Sequence, residues 1–236
     1  MWLTALTLVV VYLVWCCREQ KLTRPPGLAR DGVVVFPPGE SFQETALALL
    51  PEGYQFLDYR YTIKGCSLST FHRDVTSSGY EFGTTHPVYT LIVYHSGGKT
   101  LAVVPGSHRT VPFVWNAPKV VSGTAETAVL FDCDTLHAGV MSRDPQRHAV
   151  QYKIAHTADL PLLEALQGID KTVEYGSAPT DGSGKVSLAY EWLSRKVSLL
   201  FPFFFNHVLT RHLQSADGSL INRLMLLVFG RTFYNR

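Results

Sequence analysis

The chain opens on Trp2 to Cys17 (WLTALTLVVVYLVWCC), 16 residues without a charge, enough for about 24 Å of helix at ~1.5 Å per residue. Arg18, Lys21 and Arg24 follow, and Pro25-Pro26 stops any helix. The pattern predicts a transmembrane anchor over residues 1–17, and the basic flank on its C-terminal side places the rest of the chain in the cytoplasm. A cleaved signal peptide fits less well, because no Lys or Arg precedes the apolar run and no small-x-small site follows it. Cys16 and Cys17 fall at the membrane boundary, where acylation is the alternative to two small apolar residues. Residues 18–30 read as a linker.

Next, DGVVVFPPGESFQETALALLPEGY predicts a short strand, a turn at Pro37 to Gly39, and a helix that starts near Ser41 with Glu44 three residues on as a capping box. From Tyr54 to His156 the texture becomes short runs of Val, Ile, Tyr, Phe and Thr broken by Gly, Pro, Asn and Asp. QFLDYRYTIKG, VYTLIVYH, TLAVVPG, TAVLFD and HAVQYKIAH are strand candidates. That many strands in about a hundred residues predict a sandwich or jelly roll rather than βαβ units. Asp159 to Gly168 reads as a short helix and GSAPTDGSGK (176–185) as a flexible loop. In residues 186–236, six cations against two carboxylates are interleaved with LLFPFFF and LMLLVFG. Helices packed on the strand domain and contact with a membrane surface are both compatible with that composition. The expected organisation is an anchor (1–17), a linker (18–30), a mainly β jelly-roll domain (31–160) and a helical, apolar-basic extension (161–236).

Composition narrows the picture. In 236 residues, 46% apolar side chains supply a core, whereas a formal charge of +2 excludes a broad phosphate-binding surface and hence a dedicated nucleic-acid partner. Four cysteines, two of them beside the apolar run, make no disulfide framework.

The candidate chemistry lies in STFHRDV and LFDCDTLHAG. His72 and Asp74 are two apart, and on an extended strand residues i and i+2 share a face, so both can chelate one ion while Arg73 points away. His137, 65 residues on, ends another strand candidate and is the third candidate ligand. Two imidazoles and a carboxylate fill one face of an octahedral ion and leave three positions open, the set suited to non-haem Fe(II). Arg147, ten residues past His137, is the candidate partner for the distal carboxylate of 2-oxoglutarate, which a guanidinium grips through two parallel bonds. Arg143, among turn residues, competes with it. Tyr61, Thr70 and Tyr152 are candidates to line the cavity. His108 reads as a turn residue or a substrate contact, Asp132 and Asp134 as turn formers, Cys66 and Cys133 as small buried residues, and Cys133 as open to oxidation.

HRD, the GG of YHSGGKTLAVVPGSHR, TAVLFDCDTLHAG and the arginine ten residues past its histidine together resemble the Fe(II)/2-oxoglutarate-dependent dioxygenase superfamily over roughly residues 54–156. GGKTLAVVPGSHR is similar to the phytanoyl-CoA dioxygenase-like branch, and LHAG followed by a later cation is similar to prolyl 4-hydroxylases. The resemblance implies a double-stranded β-helix, with His72, Asp74 and His137 as the iron triad and catalytic centre and Arg147 as the 2-oxoglutarate anchor. It implies oxidation of a substrate by O2 with conversion of 2-oxoglutarate to succinate and CO2. Together with the anchor, it leads to the expectation of a single-pass membrane dioxygenase, placed at the endoplasmic reticulum with its catalytic domain cytoplasmic, that hydroxylates a lipid or acyl chain. Peptidyl prolyl or lysyl hydroxylation, another small-molecule substrate and an inactive membrane-tethered binding module remain as alternatives.

Overall fold

The computed structural model describes residues 2–11, 18–39, 41–65, 71–74, 83–109, 116–140, 144–175, 195–196 and 198–199. They are mainly β, in two sheets consistent with a jelly roll. Strand β1 (Gln20–Lys21), helix α2 (Leu28–Asp31), strand β2 (Val33–Phe36) and helix α3 (Phe42–Ala48) precede the main strands. Those are β3 (Tyr54–Gly65), β4 (Tyr89–Tyr94), β5 (Gly98–Val103), β6 (Lys119–Gly123), β7 (Thr127–Asp132), β8 (His137–Gly139) and β9 (His148–His156). A 3₁₀ segment (Thr157–Leu166) and strand β10 (Ile169–Tyr175) follow. One sheet has the order β10-β3-β9-β4-β7-β2 and the other β1-β6-β5-β8. The crossings β4–β7, β4–β9, β5–β6 and β5–β8 are all antiparallel.

Alternation along the strands sorts the side chains into layers. Ile92 and Tyr94 of β4, Val129 and Phe131 of β7, and Ala149 of β9 meet Leu101 and Val103 of β5 and Val121 of β6 between the sheets. The intervening residues Leu91, Val93, Ala128, Leu130 and Ile154 face outward under Phe42, Ala46 and Leu47 of α3. Burial on both faces explains why AVLF (128–131) of β7 is apolar without interruption. Outside the smaller sheet, Phe71, Ala102, Val104, Leu136 and Ala138 are covered by Leu199.

The expected membrane anchor is corrected. Helix α1 spans Trp2–Val11, ten residues, about 15 Å at 1.5 Å per residue against a hydrocarbon core of ~30 Å. No helix among the described residues is long and apolar enough to cross a membrane. A charge-free run limits how long a helix can be without requiring one of that length, and Cys16 and Cys17 lie outside the described residues. The expected single-pass placement, with its orientation, is withdrawn with the anchor.

Smaller differences have local causes. Ser41 occupies the N-cap of α3, but its hydroxyl makes no capping bond. The stretch expected to be a short helix after Ala158 is 3₁₀, with Pro161 inside it. Ile169–Tyr175, in the stretch expected to be helical, is a strand parallel to β3. The loop at 176–185 and, apart from Leu199, both apolar runs of the tail lie outside the described residues.

Asp132 ends β7 opposite Tyr89 of β4. Burial pushes its carboxyl up to about 7, and the Asp134 carboxylate adds to that, against the Asp134 N–H and the Arg73 charge. The folded protein therefore holds a proton that the unfolded chain releases near pH 4, and stability falls as pH rises from about 4 to 7. Asp132→Asn keeps an oxygen to accept the Asp134 N–H. Thermal unfolding is expected to show the variant matching wild type near pH 4 and exceeding it by on the order of 1–4 kcal/mol at pH 8.

Candidate metal centre

His72 bridges to His137 of β8 and continues the smaller sheet beyond it, with Asp74 two residues on. His72 and His137 exchange both backbone bonds, at 2.8 and 2.9 Å, and the Asp74 N–H donates to the Cys133 carbonyl at 3.0 Å. These backbone bonds at residues 72 and 74 bring both side chains to His137. The Nε2 of His137 is 3.4 Å and that of His72 3.9 Å from Asp74 Oδ1. One ligand atom from each of the three residues lies within 4.8 Å of the other two, a spacing that one ion with bonds of ~2.0–2.2 Å can bridge.

The surrounding bonds aim these atoms. His137 Nδ1 lies 2.9 Å from the Thr135 carbonyl; a carbonyl only accepts, so Nδ1 carries the proton and Nε2 keeps its lone pair for a metal. Thr135 is held by Gly32, whose carbonyl accepts its hydroxyl at 3.0 Å. A Cβ at Gly32, where φ is +73°, would stand 2.3 Å from that hydroxyl oxygen and 2.5 Å from His108 Nδ1, so only glycine lets the two segments meet. Arg73 faces away from the cluster. Its Nε donates to the Asp134 carbonyl at 2.7 Å and its Nη2 to the Ser107 carbonyl at 2.9 Å, so the HRD arginine pins the turn leading into His137.

Asp74 is 4% exposed and its two oxygens have separate duties. Oδ1 faces the imidazoles. Oδ2 accepts from Thr90 Oγ1, from Lys153 Nζ and, at 3.4 Å, from Gln151 Nε2, with Cys133 Sγ at 3.8 Å. Burial opposes ionisation, but the Lys153 ammonium, then His137 and His72, outweigh it and hold the carboxyl well below the usual carboxylate range. Lys153 is paired across the strands with Thr90. Burial would lower its pKa; Asp74 more than reverses that, and the ammonium is held above its ordinary value.

Arg147 lies outside the cluster, at the hairpin before β9. It is 5% exposed, and its Nη2 donates to the Thr100 carbonyl at 3.2 Å. Thr100 lies three positions before Val103, the strand partner of His137, about 10 Å along β5. The guanidinium carbon is 5.7 Å from the Tyr94 ring centre. Burial pushes the Tyr94 hydroxyl up to about 12 against the pull of Arg147. Arg147 Nη1 is buried and has no hydrogen-bond partner among the described residues, and a buried guanidinium with a spare N–H is suited to a carboxylate.

The other residues singled out by sequence fall elsewhere. Tyr152 packs on the outer side beside Phe56 instead of lining the cavity, while Tyr61 is in register with Gln151 on the inward alternation. Asp134 N–H donates to Asp132 Oδ1 at 2.8 Å, a turn bond. His108 is half-buried beside Gly32. His86 binds Asp159, His95 binds Glu126, and His156 accepts the Ala158 N–H. Thr70, Arg143 and Cys66 lie outside the described residues. The sequence reading missed Lys153, Thr90 and Gln151.

No family model matches the sequence, and no curated protein matches it. Among solved structures the chain is similar to EvdMO1, with 14% identity over 64% of this chain and a TM-score of 0.39, and it spans 42% of that protein's length. It is similar to SnoN from nogalamycin biosynthesis, a non-heme alpha ketoglutarate dependent epimerase (15% identity, 66% of this chain, 93% of that chain, TM-score 0.41). It is also similar to EctD from S. alaskensis with bound Fe (14% identity, 61% of this chain, 82% of that chain, TM-score 0.37).

Replacing Arg73 by Met would strip the buried Ser107 carbonyl and the part-buried Asp134 carbonyl of their Arg73 donors. Denaturant unfolding is expected to show a loss on the order of 2–5 kcal/mol, and an unchanged midpoint would contradict the pinning role.

Proposed function

We propose that the protein is a non-haem Fe(II)/2-oxoglutarate-dependent dioxygenase, with His72, Asp74 and His137 as iron ligands and Arg147 as the anchor for the distal carboxylate of 2-oxoglutarate. The observation that carries this reading is the convergence of two imidazole nitrogens and one carboxylate oxygen on one point inside the barrel. The donor set fits the ion: two neutral nitrogens and one anionic oxygen leave room for a bidentate keto acid and O2. The spare N–H of buried Arg147 supports the same co-substrate.

Each residue has a defined task. His137 offers Nε2 because Thr135 holds its Nδ1 proton, and Asp74 offers Oδ1 because Oδ2 is held from behind. Arg147 orients the diacid from the far end through a charge-assisted pair. Phe131, 4.4 Å from the His137 ring, with Ile92 and Val103 keeps water from the back of the site. When bound, ferrous iron supplies the oxidative chemistry, in which a C–H of substrate, O2 and 2-oxoglutarate become C–OH, succinate and CO2.

His72 is the partly exposed member, with 24% of its side chain open against 4–5% for the other two. A substrate therefore approaches from the His72 side. The expected acyl-chain substrate drew its support from the anchoring helix and from the apolar-basic tail; it loses the first, and most of the second lies outside the described residues.

Anaerobic addition of Fe(II) and 2-oxoglutarate is expected to produce a weak visible charge-transfer band. His72→Ala should abolish it. Arg147→Ala should keep it but raise the 2-oxoglutarate concentration needed by on the order of 10–100-fold, the equivalent of a lost charged bond of about 1.5–3 kcal/mol. No band with wild type would refute the assignment.

A further inference from the structure

Lys153 is 4% exposed at the carboxylate that the proposed function assigns to iron. Its Nζ donates to Asp74 Oδ2, to Thr90 Oγ1 at 2.7 Å and to Cys133 Sγ at 3.8 Å. Three N–H groups thus have three acceptors, and the Tyr59 ring, 5.9 Å away, closes another side. An ammonium held this way, on a strand paired at both edges, cannot swing to solvent when a metal arrives.

We infer that Lys153 is a built-in counter-ion that competes with the divalent metal for the charge of Asp74. The inference rests on the iron reading above. One carboxylate then serves two cations, the ammonium through Oδ2 and the metal through Oδ1. Like charges this close, away from bulk water, repel strongly. The triad therefore takes a divalent ion alone less readily than the same triad without the lysine, whereas the extra positive charge draws in a dianionic keto acid. Lys153 is a positioning residue that sets the balance between metal and co-substrate affinity, favouring the loaded pair over the bare metal site.

Calorimetric titration with Mn(II), which needs no oxygen-free handling, tests this on the full chain. Lys153→Met and Lys153→Gln are each expected to bind Mn(II) at least tenfold more tightly than wild type, and the Mn(II)-loaded variants to bind 2-oxoglutarate several-fold more weakly. The glutamine variant keeps an N–H for Thr90 or Asp74 and so separates charge from packing. Equal or weaker Mn(II) binding by folded variants overturns the inference and leaves the iron reading standing. Wild type that binds no Mn(II), or binding that survives His72→Ala, fails the iron reading itself. Should neither lysine variant fold, nitrogen-labelled lysine spectra of wild type decide: the slowly exchanging Lys153 ammonium signal shifts on addition of Zn(II), and a signal that stays in place overturns the competition.

Discussion

A carboxylate inside a β barrel stays ionised only if its lost hydration is replaced, and the arrangement around Asp74 is built on that requirement. Its Oδ2 takes the Thr90 hydroxyl and the Lys153 ammonium. Its Oδ1 faces His72 and His137. Removing either side would leave charge in a place where burial is expensive. The division also orients the carboxylate, so that Oδ1 faces the two imidazoles.

Backbone pairing supplies the rest of the precision. His72 and His137 are neighbours because their main chains form an antiparallel bridge, and Asp74 is tied to Cys133 by its own N–H. The turn between Asp132 and His137 is secured from three directions: Gly32 under Thr135, the Ser107 hydroxyl on the Leu136 N–H, and Arg73 on the Asp134 carbonyl. The histidines thus inherit their positions from sheet and turn hydrogen bonds, with little left to side-chain freedom.

Much of the barrel was legible in the sequence because period-two alternation and Gly/Pro punctuation are local signals. The five strand candidates correspond to β3, β4, β5, β7 and β9. The spacing of His72 and Asp74 carried its geometry for the same reason. Lys153 was missed, although HAVQYKIAH held a clue. Gln151 and Lys153 share the inward alternation while Val150, Tyr152 and Ile154 share the outward one, and a lysine on the buried face of a strand needs an anionic partner. Nothing local could name that partner, because Asp74 is 79 residues away. The anchor was not legible because freedom from charge does not set helix length: no helix among the described residues, α1 (Trp2–Val11) included, is long and apolar enough to cross a membrane. Strand β10 was missed because its pairing with β3 is parallel and spans more than a hundred residues.

The central claim is that His72, Asp74 and His137 hold one ferrous ion. Anomalous diffraction at the iron edge, from crystals grown without oxygen in Fe(II) and 2-oxoglutarate, tests it most directly. The account predicts a single anomalous peak about 2.0–2.2 Å from His72 Nε2, Asp74 Oδ1 and His137 Nε2, with the far carboxylate of the diacid on Arg147. A peak elsewhere in the molecule, or one that either imidazole fails to reach, would contradict it.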